Sequence, residues 1–130
     1  MAAVKKWRPK RNSTRESEIQ VMLFKWLSLY PNVRRLCFHI PNGGNRDIQE
    51  AVYLKAMGVT AGVPDVFIAI PSHDFHGLFL ELKSDNGTLS EPQKNFLYAA
   101  SQQGYACRVT YGLDSAMNAV KDYLGDKLER

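Results

Sequence analysis

The sequence predicts an α/β fold, a mixed sheet with helices packed around it. Three observations predict it. Apolar residues recur at helical spacing through 16–30, two strand-like runs flank a short turn within 65–83, and a helix followed by a strand fills 90–111. The chain has 130 residues, enough for one domain with one core. No apolar run approaches the roughly 20 residues that a membrane span needs, so no membrane partner is expected.

Each element follows from its local pattern. In ESEIQVMLFKWLSLY (16–30), Ile19, Met22, Leu23, Trp26, Leu27 and Tyr30 form an apolar stripe, Ser13 or Thr14 can cap the start, and Pro31 ends the helix. RRLCFHI (34–40) reads as a strand. PNGGN (41–45) is a turn rich in residues that accept positive φ. DIQEAVYLKAM (47–57) is a second helix, with Gly58 near its end. A short strand at 65–70, a turn at 71–76 and a strand at 77–83 make an antiparallel hairpin. SEPQKNFLYAASQQG (90–104) is a helix closed by Gly104, YACRVTY (105–111) a strand, and 113–124 a last helix. A helical crossover after residue 83 makes the strands at 77–83 and 105–110 parallel neighbours.

Charge is unevenly placed. Residues 1–15 hold six basic side chains and no acid: Lys5, Lys6, Arg8, Lys10, Arg11 and Arg15. The remainder has 11 basic and 13 acidic residues, so the net charge of +4 comes from this arm. It can bind a phosphate backbone or stay solvated, and without an apolar stretch it is not a secretory leader. The expected organisation is a basic arm over 1–15 and one domain over 16–130. Cys37 and Cys107 stand far apart without a CxxC or Cys/His cluster, so they read as buried thiols of a reducing compartment rather than zinc ligands.

The strand GLFLELK (77–83) breaks its own pattern. Alternation puts Leu78, Leu80 and Leu82 on one face and Phe79, Glu81 and Lys83 on the other. A carboxylate and an ammonium on a mostly apolar strand suit either a solvated sheet edge or a site. Asp65, delivered by the stiff Val63-Pro64 step, favours a site. With residue 70 opposite 77, Asp65 falls level with Leu82, and Asp65, Glu81 and Lys83 gather at one end of the hairpin. Paired carboxylates repel unless a cation lies between them. Hard oxygen ligands suit Mg²⁺ or Mn²⁺, the Leu82 carbonyl can add a neutral ligand, and Lys83 can stabilise charge on a phosphate. Asn42, Gly43, Gly44 and Arg46 offer amides and a cation to a phosphate backbone, or form a plain turn. His39 reads as a core-edge histidine or a contact at the site, and His73 and His76 as surface residues.

Gly62-Val63-Pro64-Asp65 followed by Glu81-Leu82-Lys83 resembles the PD-(D/E)xK nuclease signature. His39-Ile40-Pro41-Asn42-Gly43-Gly44, Lys55-Ala56-Met57-Gly58, Ser90 and Gln93 narrow the resemblance to the virus-type replication-repair nuclease (VRR-NUC) domain over residues 16 to about 124, as in stand-alone phage and bacterial members. The resemblance implies a restriction-endonuclease-like core, and Asp65 and Glu81 as metal ligands with Lys83 as the catalytic lysine. It also implies a glutamate from the first helix. Glu18, four residues before Met22 and eight before Trp26, is expected in that role ahead of Glu16. Gln93 fits an S-x-x-Q capping box with Ser90, and the resemblance adds a contact to the reacting water or a phosphate.

The expected function is a Mg²⁺- or Mn²⁺-dependent DNA endonuclease of replication, recombination or repair. It would act in the cytoplasm of a bacterial or phage-infected cell on branched or junction DNA, as a homodimer. The rival readings are a non-catalytic DNA-binding module of the same fold, a carboxylate-pair hydrolase of sugars or small molecules, and an interaction domain with a solvated Glu–Lys pair.

Overall fold

The computed structural model describes residues 15–41 and 47–130. Lys5, Lys6, Arg8, Lys10 and Arg11 of the basic arm, and Asn42, Gly43, Gly44 and Arg46 of the loop, lie outside the described residues. Helix α1 (Glu16–Leu27) is followed by α2 (Pro31–Arg34), strand β1 (Cys37–His39), helix α3 (Ile48–Ala56) and strand β2 (Val66–Ile68). Strand β3 (Leu78–Lys83), helix α4 (Glu91–Gln102), strand β4 (Ala106–Tyr111), helix α5 (Leu113–Leu124) and a 3-10 turn (Gly125–Lys127) complete the order.

The strands form a mixed sheet in the order β1-β2-β3-β4. β1 pairs antiparallel with β2, and β2 with β3, while β3 and β4 run parallel as the crossover through α4 requires. Helices cover both faces of β3. Leu78, Leu80 and Leu82 pack with Leu23 and Leu27 of α1 and with Ala116, Ala119 and Val120 of α5. On the other face the Phe79 ring meets Phe96 of α4 edge-on at 5.1 Å, beside Phe67 and Tyr105. That double cover explains a strand that is buried at both Leu80 and Glu81.

Two expectations are corrected. Pro31 does not simply end the first helix. It occupies the first turn of α2, where its fixed φ is pre-set and its missing N–H costs nothing, so β1 begins at Cys37 rather than Arg34. The hairpin register also differs by one. At the tip, His73 and Asp74 take φ of 50° and 68°, a tight two-residue turn with Ser72 facing Phe75. Beyond it Ile68 pairs with Leu78, which leaves three residues on one side and two on the other. The extra residue is a bulge. The Tyr123 hydroxyl of α5 donates to the Ile70 carbonyl at 2.7 Å, and Ser72 Oγ donates to the Tyr123 carbonyl, which ties the bulged segment to α5.

Both cysteines are free thiols. Cys37 is buried, but Cys107, on the edge strand β4, is only half-buried, contrary to expectation. Among the described residues no helix is long and apolar enough to cross a membrane.

Thr110 of β4 is opposite Leu82 and 2 % exposed, and its hydroxyl has no hydrogen-bond partner. A buried, unpaired hydroxyl is a net cost. Thr110→Val keeps the shape and removes that cost, so it should raise the thermal midpoint by about 2–5 °C, or ~1 kcal/mol, in a calorimetric scan.

Candidate active site

The bulge decides which way Asp65 faces. With Val66 opposite Leu80, the next step of the ladder brings Asp65 level with Glu81 instead of Leu82. Directly opposed residues share a face of the sheet, so the Asp65 carboxyl joins Glu81 and Lys83 on the side covered by α4.

Asp65 is held from three directions. Its carbonyl accepts from Ile40 N–H at 2.8 Å and from His39 Nδ1 at 2.7 Å, both from the β1 side. Its carboxylate Oδ2 accepts from Leu82 N–H at 2.8 Å. That last bond replaces a ladder bond. The residue that would face Leu82 is Pro64, which has no N–H to offer the Leu82 carbonyl. The odd residues of β3 meanwhile direct their carbonyls toward β4, as in Gly77 to Ala106 and Lys83 to Gly112. The Leu82 carbonyl therefore lies on the Asp65 side of the strand, with no ladder donor from β2.

The loop carrying Asp65 sits on the first turn of α4. Gly62 has a φ of 87°, and a Cβ there would lie 2.3 Å from the Pro92 carbonyl oxygen. Only glycine permits both the conformation and the approach. The contact brings Gln93 to the site. Ser90 Oγ accepts from Gln93 N–H at 3.3 Å and Ser90 N–H donates to Gln93 Oε1 at 2.9 Å, which completes the expected capping box. The same Oε1 accepts from Lys83 Nζ at 3.2 Å, and Gln93 Nε2 donates to Glu81 Oε2 at 3.5 Å. Gln93 thus caps a helix and bridges two site residues at once.

Glu81 and Lys83 are 3 % and 6 % exposed, so their charges are not solvated. The Glu81 carboxyl is pushed up to about 8. Burial is the largest cause, followed by a hydrogen bond with the Asp65 carboxyl and that group's negative charge. Lys83 pulls the other way, but its Nζ lies 3.9 Å from Glu81 Oε2, a long contact. Burial and the neighbouring carboxyl favour the protonated form of Glu81 near neutrality. Two hard oxygen ligands can exchange such a proton for a divalent cation, and the Leu82 carbonyl lies on the same side. The residues present fit such an ion. Among the described residues, no three His, Cys, Asp or Glu side chains stand close enough to form a ready-made cage.

Of the two helix acids, Glu16 is the one whose charge adds to the rise at Glu81, as the smallest of its causes. Glu18, the residue expected there, is exposed, as Glu16 is, and no effect of Glu18 on Glu81 is seen. The reason is helical phase. The buried stripe of α1 is Ile19, Leu23 and Leu27, while Met22 is 43 % exposed. Glu16 is three residues before Ile19 and so shares its face, whereas Glu18 is one residue away, about 100° round the helix. His39, left open by the sequence, is joined to the site through the Asp65 carbonyl. His73 and His76 are exposed at the opposite end of β3.

The VRR-NUC domain family model matches residues 4–114. A solved structure described as a VRR_NUC domain protein superposes with a TM-score of 0.74 at 28% identity, covering 88% of this chain and 90% of its own. No curated protein matches the chain.

The raised Glu81 carboxyl fixes the sign of one pH effect. A group whose folded value lies above its ordinary 4.5 stabilises in full below that value, and the contribution disappears as pH rises through about 8. In chelator, the thermal midpoint should fall by roughly 5 °C or more between pH 5 and 9. Glu81→Gln should flatten this decline, and a wild-type midpoint that is level over that range would contradict the raised Glu81 carboxyl.

Proposed function

The chain belongs to the VRR-NUC family, nuclease-type DNA-processing domains, and on that premise we propose that it is a divalent-metal-dependent DNA endonuclease. The single observation that carries this reading is the contact between the Asp65 and Glu81 carboxyls beside a buried lysine. Asp65, Glu81 and the Leu82 carbonyl would hold Mg²⁺ or Mn²⁺, with Glu16 supplying the helix carboxylate. When bound, such an ion supplies Lewis-acid chemistry, neutralising charge at the phosphate and lowering the pKa of a bound water.

The chain's own residues do the rest. Gln93 Oε1 holds Lys83 Nζ in place, so the ammonium is aimed before substrate arrives. Burial keeps that charge unscreened, and it stabilises negative charge building on the scissile phosphate. The Leu82 N–H bond fixes the Asp65 carboxylate, and Gln93 Nε2 fixes Glu81. The basic arm over residues 1–15 suits backbone phosphates, and we place the enzyme in the cytoplasm with its DNA.

We propose branched or junction DNA as the preferred substrate, cut by a homodimer, since paired incisions need two sites. Helix α3 supports a second copy. It buries no residue, and Ile48, Val52, Tyr53 and Met57 are each more than 60 % exposed. A dimer held there should show twice the chain mass in light scattering, and Val52→Glu should leave monomers.

Cleavage of labelled linear and branched DNAs should require Mg²⁺ or Mn²⁺ and stop in excess chelator. Lys83→Ala and Asp65→Ala should each lower the rate by at least about 100-fold. Glu16→Gln should impair it far more than Glu18→Gln. Wild-type protein that binds DNA and cuts nothing in either ion would instead be a non-catalytic module of the same fold.

A further inference from the structure

A cavity opens on the α1 side of β1. It lies between α1 and β1, encloses about 290 Å³, and is lined by Gln20, Phe24, Arg34, Cys37 and His39, with Val21 and Phe38 at its edge. Its cation is unusually well fixed for a residue near the surface. The Arg34 guanidinium stacks over the Phe24 ring at 4.7 Å, and its Nη1 donates to the Cys37 carbonyl at 3.0 Å. Both contacts hold the group in place, and neither neutralises it. The two ion pairs among the described residues, Lys83–Glu81 and Lys94–Glu91, do not include it. A half-buried guanidinium has five N–H groups. With one of them on a carbonyl and no carboxylate partner, it offers the rest of its fork to an anion in the cavity.

The cavity lies on the α1 face of the sheet and the acid pair on the α4 face, and the backbone of Asp65 links them at the sheet's end. His39, at one side of the cavity, bonds through Nδ1 to the Asp65 carbonyl. A carbonyl only accepts, so Nδ1 is the donor and the ring is fixed in place. Gln20 lies on α1 one turn after Glu16, about 6 Å further along the axis. Phe24, under the Arg34 guanidinium, lies eight residues after Glu16, about 12 Å along the axis, so a DNA strand with one phosphate at Asp65 and Glu81 that runs along α1 brings a phosphodiester a few linkages away to Arg34. We infer that the Arg34 cavity is a subsite for a backbone phosphodiester a few linkages from the scissile one, with the Gln20 amide as a second donor. This inference rests on the nuclease reading of the acid pair and adds a means of setting strand register. The contact reads charge and geometry, not base sequence.

The test is binding, measured by fluorescence anisotropy of labelled DNA in excess chelator so that cutting does not intervene. Arg34→Gln keeps the stem and an amide for the Cys37 carbonyl but removes the charge. Gln20→Glu leaves Arg34 intact and places an acid in the cavity. Each should weaken binding about ten-fold, and Arg34→Gln should reduce the slope of log affinity against log salt by about one. A neutral methylphosphonate, moved through the linkages one at a time, should cost the wild type a similar factor at one position and cost Arg34→Gln nothing there. Should Arg34→Gln lose its fold in a thermal scan, Gln20→Glu with the linkage scan still decides. Folded variants that bind like wild type with an unchanged salt slope overturn the inference. So does sensitivity to a terminal phosphate with none to an internal linkage. Wild-type protein that binds no DNA overturns the nuclease reading together with this one, whereas wild type that binds and cuts while both variants behave identically overturns this one alone.

Discussion

Everything at the sheet's end depends on one contact, the hydrogen bond between the carboxyls of Asp65 and Glu81. Burial makes it costly for both to be charged, and the Glu81 carboxyl is pushed up from 4.5 to about 8. The pair is therefore a strained arrangement without a cation, and the surrounding fold is built to keep it. Leu82 N–H and Gln93 Nε2 each donate to one of the carboxylates. Lys83 is close enough to matter electrostatically and too far to quench the pair.

Helix α4 is what turns a hairpin into a site. Its first turn receives Gly62, which positions the loop before Asp65, and its Gln93 reaches both Glu81 and Lys83. One side chain thus satisfies a helix end and fixes a buried ammonium. Capping alone accounts for Ser90 and Gln93 in the sequence, and the bridge from Gln93 to Glu81 and Lys83 becomes visible only in the folded chain. Helices α1 and α5 do complementary work on the far face. They bury Leu78, Leu80 and Leu82 and so anchor the strand whose other side carries the charges.

The bulge in the hairpin has a consequence out of proportion to its size. A hairpin paired without it would put Asp65 opposite Leu82, on the leucine face, and separate the two carboxyls across the sheet. Tyr123 of α5 takes the Ile70 carbonyl and stabilises the extra residue. A helix at the end of the chain therefore sets the facing of an acid about sixty residues earlier. Distant packing and local chemistry are linked through register.

The element order, the parallel β3–β4 pair, the capping box and the gathering of Asp65, Glu81 and Lys83 at one end of the hairpin were legible in the sequence, because periodicity, turn residues and short motifs are local signals. Sequence also named both helix acids, Glu16 and Glu18, and could not show which of them faces the pair. The choice turns on whether Met22 or Leu23 faces the sheet, and an apolar stripe read without the sheet leaves that rotation open. The bulge was equally hidden, since it depends on a hydroxyl from α5. Local pattern determined which residues are candidates for the chemistry. Their facing and spacing were decided by tertiary packing alone, because helix rotation and strand register are fixed only where surfaces from distant segments meet.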